Sequence, residues 1–340
     1  MSTTKLELTN PNKKEILTKS IPINSISDDS EDESIESNIV NQEKQQSSIL
    51  YLFIKRYIQQ LKLVFQSIIS DLKDFKYWQI IIFILFATFN VVFSILDFNS
   101  FFSHQQPRSL LKWTNDVEDG KPLWRRILLC FSGISAFTNI LYVGLVIYGK
   151  ISSFFWGITG AILYGIYAFA YGYVGDAQLF VFFFLPMQFI GIYLWSKKLD
   201  NKSTTRVKSL KFSGWIFICI SSFLLTLLFY YEIPMFSKYL ASTYFFEDKF
   251  IPHVFDATTN ALNVIGQFLL IACYWEQYII WIFVNIMSII MYSGRLGTPL
   301  DINLLLVWIM LAISSACGLY KWYHRWKDSK HISSMSNIKV

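Results

Sequence analysis

Residues 254–293 read VFDATTNALNVIGQFLLIACYWEQYIIWIFVNIMSIIMYS. Two apolar runs, 254–273 and 277–293, each come close to the ~20 residues that carry a helix across the hydrocarbon core of a bilayer. The first bears Asp256, Thr259, Asn260, Asn263 and Gln267, at steps of 3, 4, 7 and 11 from its aspartate, which puts them on one helical face. The second bears Tyr278, Trp281, Asn285, Ser288 and Tyr292, again stepping by three or four. Such polar stripes are expensive against lipid and turn toward the interior of a helical bundle.

Working outward, six more runs have the same character: 79–96, 127–148, 152–174, 177–195, 213–231 and 302–320. Across the 340 residues, 53% are hydrophobic, 18% aromatic and only 16% charged, against about 25% charged in ordinary soluble domains. Eight apolar runs predict an all-α membrane protein. Because the runs are continuous, not alternating, they exclude a closed β-barrel. The net charge of +6 implies no nucleic acid, since the basic residues flank the spans. Cys130, Cys219, Cys273 and Cys317 all fall inside spans and read as small apolar side chains.

Residues 1–48 are polar, with an acidic stretch at 27–38, and read as a disordered tail with no signal peptide. The 79–96 span then serves as the insertion signal and adds one transmembrane helix at the N-terminal side. Residues 49–76 mix Leu, Ile and Phe with Lys55, Arg56, Lys62, Lys73 and Lys76, the composition of a basic amphipathic juxtamembrane helix lying on an anionic leaflet; a plain connector fits equally. Lys197, Lys198, Lys202, Arg206, Lys208 and Lys211 crowd one loop, and residues 321–340 form a basic tail. With eight crossings, that loop and both termini share one side. The positive-inside rule makes it cytosolic, although Arg108, Lys112, Lys121, Arg125 and Arg126 lie on the opposite side. The plasma membrane is the expected location.

Shifting the chain by 125 residues lays Trp156 on Trp281, Tyr167 on Tyr292, Gly172 on Gly297 and Asp176 on Asp301, with Gln178 against Asn303. Residues 127–195 and 254–320 therefore read as two three-helix repeats joined by a linker helix at 213–231. The linker crossing restores direction after three crossings, so the repeats are parallel. This three-plus-one-plus-three arrangement is the plan of SWEET-type facilitators, whose solute sites lie at the repeat interface.

Single Ser and Thr residues in such spans read as interhelical hydrogen-bond glue, about 0.6 kcal/mol each. A set of Asn, Gln, Trp and Tyr recurring on several helices reads as a solute path. The 127–148 span has its own stripe of Ser135, Thr138, Asn139 and Tyr142, and Gln188 and Trp195 share a face of 177–195. Flat rings can stack on a planar solute, and amides both donate and accept. A cationic ring over Trp281 would add about 0.5–2 kcal/mol. The candidate site comprises Gln188, Trp195, Asn260, Asn263, Gln267, Tyr278, Trp281, Asn285 and Ser288.

The run Glu276-Gln277-Tyr278-Ile279-Ile280-Trp281-Ile282-Phe283-Val284-Asn285 resembles the PnuC family's E-N-W, hydrophobic pair, W-x-x-x-N pattern. Phe182 to Phe184 followed by Gln188, Gly191, Tyr193 and Trp195 resembles that family's third core helix. Asp256 with Thr258, Thr259 and Asn260 resembles the start of its fifth, and the turn from Gly172 to Asp176 also fits. The resemblance spans residues 127–323. It implies a three-plus-one-plus-three bundle, often a homotrimer, that moves vitamin precursors such as nicotinamide riboside by facilitated diffusion, without a cofactor. It further implies that Trp281 and Asn285 contact base or ribose, that Gln188 binds polar groups and that Trp195 shapes the pocket. Tyr278 departs from the family's first Trp and leaves the exact vitamin open, with thiamine or riboflavin as alternatives. A sugar facilitator shares the helix plan but not the E-x-x-x-x-W-x-x-x-N element. A seven-helix receptor fits neither the even crossing count nor the repeat. Enzyme signatures such as HExxH and GxSxG are absent, as is GxxxxGK[ST] for ATP.

Overall fold

The computed structural model describes residues 29–96, 123–197, 206–241, 244, 246, 248–296, 300 and 302–338. Among these the chain is helical: α1 (Asp29–Lys73), α2 (Tyr77–Leu96), α3 (Leu123–Tyr148), α4 (Ser153–Tyr171), α5 (Val174–Ser196), α6 (Phe212–Ala241), α7 (Phe250–Ala272), α8 (Gln277–Tyr292) and α9 (Ile302–Ile338). Seven of them hold stretches long and apolar enough to cross a membrane. The expected span at 277–293 is the exception. As α8 it has 16 residues, so at 1.5 Å per residue it reaches roughly 24 Å, short of a ~30 Å hydrocarbon core. Gly297 and Asp301 and the side chain of Asn303, used in the repeat register, lie outside the described residues, as do residues 97–122 and 198–205.

The chain divides into two units, Met1–Lys55 and Arg56–Val340. In the first, residues from Asp29 onward are helical, whereas the sequence reading kept the tail irregular as far as residue 48. Ile49, Leu50, Leu52, Phe53 and Ile54 are exposed there. In the second unit, Arg56–Lys73 lies against the bundle. Val64 is buried in the central apolar cluster with Leu61 beside it, Phe65 meets Phe155 edge-on, and the Tyr57 hydroxyl donates to the Phe189 carbonyl at 3.2 Å. At its end, the Lys150 ammonium reaches Asp71 at 3.3 Å and Asp74 at 2.6 Å, and the Ser152 hydroxyl donates to Asp71 at 2.7 Å. Burial lowers the Lys150 pKa, but the hydrogen bond to Asp74 and the charge and hydrogen bond of Asp71 outweigh it and leave the pKa raised.

Helix α4 packs on both α3 and α5, and α8 on both α7 and α9; α5 and α6 lie against α7, α2 against α3, and α3 touches α9. Three of these helices stop in the same way. Gly149 (φ 72°) follows α3, Gly172 (φ 83°) follows α4 and Cys273 (φ 69°) follows α7. In each case the left-handed residue donates to a carbonyl three back and its successor to one five back (Gly149 to Val146 and Lys150 to Leu145; Gly172 to Phe169 and Tyr173 to Ala168; Cys273 to Leu270 and Tyr274 to Leu269). This is the Schellman closure of a helix end. Past α7 the chain is pinned further. The Lys208 amide donates to the Cys273 carbonyl at 2.8 Å, the Trp275 amide donates to the Lys208 carbonyl at 3.2 Å, and the Glu276 carboxylate accepts from Ser209 and from the Leu210 amide, both at 2.7 Å.

Helices α6 and α9 outrun their expected spans. Helix α6 has 30 residues and contains Pro234, and α9 has 37, running through what the sequence suggested was a free basic tail. Its continuation is held on the bundle: the Trp322 indole donates to the Val146 and Ile147 carbonyls at 3.2 Å, and Arg325 donates to the Tyr148 carbonyl at 3.3 Å. These bonds use carbonyls at the C-terminal end of α3, which lack helical partners.

Candidate functional site

A cavity of about 130 Å3 lies between the two helix triplets, roughly ten times the space one water needs. Of the nine candidate residues, six wall it: Gln188 from α5, Asn263 and Gln267 from α7, and Tyr278, Trp281 and Asn285 from α8. The other three do not. Trp195 is fully buried behind the wall, edge-on to Phe154 at 5.0 Å between centroids, with its indole donating to the Leu270 carbonyl at 3.3 Å. The Asn260 amide is turned back along its own helix, donating to the Asp256 carbonyl at 2.8 Å and to the Asp256 carboxylate at 3.2 Å. Ser288 is buried on α8 without reaching the cavity.

The wall also holds residues that the sequence reading left out of the site. Asn139 and Tyr142 come from the noted stripe on α3 and Gln277 from the quoted run; Tyr164, Asp176, Trp308 and Ser315 complete the polar set. The Tyr142 hydroxyl donates to Gln267 Oε1 at 3.4 Å. These two residues are 125 apart, the same shift that overlays the chain on itself in sequence. Asn285 donates to the Ser315 hydroxyl at 3.0 Å, and Tyr164 to the Asp176 carboxylate at 2.9 Å. Trp308 and Ser315 stand on α9, whose sequence shows no polar stripe; only their indole N–H and hydroxyl amid apolar neighbours could have marked them.

Backbone shape makes room for two of these side chains. A Cβ on Gly157 would come within 2.6 Å of Gln188 Oε1, and one on Gly266 within 3.0 Å of the Trp281 ring. Helix α5 is π-helical over Leu179–Phe184, a widened turn often found at functional sites. It sends Phe180 and Phe184 into the wall, 5.0 Å apart edge-on, and Phe184 lies 6.5 Å from the Trp281 ring. One side is therefore a bank of aromatic faces.

Buried polar groups in folded proteins nearly always have partners. Around this cavity several have none within the protein: Gln188 Oε1, Gln267 Nε2, both polar atoms of Gln277, the Tyr278 hydroxyl and the Trp308 indole N–H. Unmatched donors and acceptors beside aromatic faces suit a flat, polar organic solute.

The helices and this cavity define a multi-pass membrane protein with an internal cavity. The chain belongs to the nicotinamide mononucleotide transporter family, whose sequence model matches residues 129–324; it is a transporter, not an enzyme. It is 30% identical over 192 residues to the nicotinamide riboside transporter PnuC of Haemophilus influenzae, covering 56% of this chain and 77% of that one. With PnuC of Neisseria mucosa it shares 25% over 202 residues, covering 56% and 71%. The crystal structure of a vitamin B3 transporter PnuC has the same fold, with a TM-score of 0.52 at 21% identity over 75% of this chain and 94% of the other.

Proposed function

We propose that this protein carries nicotinamide riboside, or a closely related vitamin precursor, across the membrane by facilitated diffusion. The observation that carries the reading is the cavity wall: a Trp281–Phe184–Phe180 aromatic bank together with buried amides that have atoms without protein partners. A pyridinium ring stacks on Trp281, gaining about 0.5–2 kcal/mol from its charge. Gln188, Asn263, Gln267 and Asn285 then supply hydrogen bonds to carboxamide and ribose. Tyr278 contributes its ring and hydroxyl in place of a second indole. The names borne by the relatives from Haemophilus influenzae and Neisseria mucosa point to the same solute.

The architecture that goes with this function is three plus one plus three: α3–α5 and α7–α9 as parallel repeats, α6 as linker, and α2 as an additional N-terminal transmembrane helix. The Tyr142–Gln267 contact, between residues 125 apart, supports it. Both termini lie in the cytosol, the membrane is the plasma membrane, and the assembled form is a homotrimer.

Uptake of radiolabelled nicotinamide riboside in cells lacking their own carriers tests the reading, with thiamine, riboflavin and glucose as competitors. Saturable uptake blocked only by unlabelled riboside is the expected result. Uptake sensitive instead to thiamine or riboflavin changes the vitamin, and no uptake of any of them by protein shown to be at the surface overturns the assignment.

A further inference from the structure

Among the described residues, Gln277 is the one carboxamide whose nitrogen and oxygen are both buried without a protein partner. It has no solvent exposure and it walls the cavity. It opens α8, immediately before Tyr278, whose hydroxyl is also unmatched. The same cavity is lined by Gln267, with its nitrogen free, and Gln188, with its oxygen free.

We infer that this end of the cavity reads a primary carboxamide on the transported solute, and that Gln277 is the residue that specifies it. The inference rests on the nicotinamide riboside reading above and names the part of that solute held here. A carboxamide has one acceptor oxygen and a two-proton donor in one plane. Set against Gln277, it forms a paired ring of two hydrogen bonds, its N–H to Oε1 and its oxygen from Nε2. Turning the Gln277 amide over exchanges the two roles and leaves the demand unchanged, so the argument does not depend on which atom is assigned where. Its second N–H is then available to Gln188 Oε1, and its second lone pair to Gln267 Nε2.

A carboxylate cannot substitute. It accepts only, so Gln277 Oε1 and Gln188 Oε1 would face a negative oxygen with no proton between them. Nor does the cavity wall hold any Lys or Arg to neutralise it. An amide-free ring leaves both Gln277 groups buried and unmatched, as they are without a solute. Sites built to pair a polar group reject analogues lacking it for this reason.

The opposite end of the cavity is different. Asn285 lies eight residues along α8 from Gln277, about 12 Å at 1.5 Å per residue. It is bonded to Ser315, while Asp176 takes the Tyr164 hydroxyl. Those groups suit hydroxyls. The cavity is therefore polarised, with an amide-reading end at the start of α8 and a hydroxyl-reading end deeper along it.

The test is calorimetric titration of the purified full-length protein with nicotinamide riboside and with the same nucleoside carrying a carboxylate in place of the carboxamide. The native protein should bind the amide roughly tenfold or more tightly than the acid. Gln277→Leu should abolish that preference by weakening the amide form. Because it removes two unmatched groups, it should also raise the melting temperature of the solute-free protein, which a purely structural glutamine would not do. Gln277→Asn, which keeps the amide one methylene short, should retain part of the preference and covers the case in which the leucine variant does not fold. An unchanged amide-to-acid ratio in Gln277→Leu or Gln277→Asn overturns the inference while leaving the transport reading standing. Failure of the native protein to bind the riboside at all overturns both.

Discussion

Helices α6 and α7 are neighbours of comparable length and opposite disposition. In the most apolar stretch of α6, 6% of residues are buried; in that of α7 the share is 72%. Phe217, Ile220, Phe223, Leu224 and Leu228 of α6 are exposed, while Asp256, Thr259, Asn260, Asn263 and Gln267 of α7 are all buried. In water the assignment would be reversed. In a bilayer the lipid is as apolar as leucine, so apolar faces gain little from packing on each other, whereas polar groups must find partners inside. The lesson is that in this chain the polar residues, not the apolar ones, mark the interior.

Four measurements can break or sharpen that contrast. The largest effect belongs to Trp281→Ala. Losing a stacking face and a cation–π contact together is expected to lower uptake by about 100-fold, with the protein still folded and at the membrane; full uptake would remove Trp281 from the solute path. Next is Lys150→Met, which leaves the buried Asp71 carboxylate facing only Ser152. A loss of about 2 kcal/mol in stability in detergent is expected, since a half-removed buried pair is strongly destabilising. The Lys150 pKa is raised above its ordinary 10.5. Its contribution is therefore complete below that pH and is lost as pH climbs through the higher folded value. Thermal stability of the native protein should fall in that alkaline range, and that of Lys150→Met should fall less.

Asn285→Leu removes one hydrogen-bonding group from the cavity and should raise the apparent KM for uptake about tenfold with surface abundance unchanged. Loss of expression instead would show that the Asn285–Ser315 bond is structural glue. The smallest effect is expected for Phe223→Ala on the outer face of α6, within about 0.5 kcal/mol in thermal stability. A larger loss would mean that another subunit covers this face and would break the contrast between the two helices.

Much of the fold was legible because a membrane leaves few alternatives: an apolar run near 20 residues forms a helix. The limits of that reading have physical causes. The run at 277–293 did mark α8 as short, ending one residue beyond the helix that forms, but length alone did not say that it falls short of a full crossing. Nor could length and composition show that residues 56–73 dock on the bundle. A basic amphipathic pattern suits a lipid surface equally well, and the partner that decides the matter, Lys150, lies 79 residues beyond Asp71.

The candidate site divides in the same way. The helical period placed Asn260, Asn263 and Gln267 on one face, but a face about 10 Å long does not all open on one cavity. Asn260 found the Asp256 carboxylate one turn away and folded back on it, whereas Gln267 found Tyr142 on another helix. Trp195 was expected to shape the pocket, but it packs within the central apolar core. Trp308 and Ser315, single polar residues on an apolar helix, gained their place from what faces them.

By itself the sequence determined the membrane class, the order of the apolar helices and the residues bearing hydrogen-bonding side chains into the bilayer, because each of these follows from local composition and period. Only the tertiary structure decided which of those side chains satisfy one another and which are left open to a solute. That depends on which groups lie within hydrogen-bond reach across helices far apart in sequence, and Gln277, fully buried yet unpaired, has no local signature that distinguishes it from a glutamine at rest.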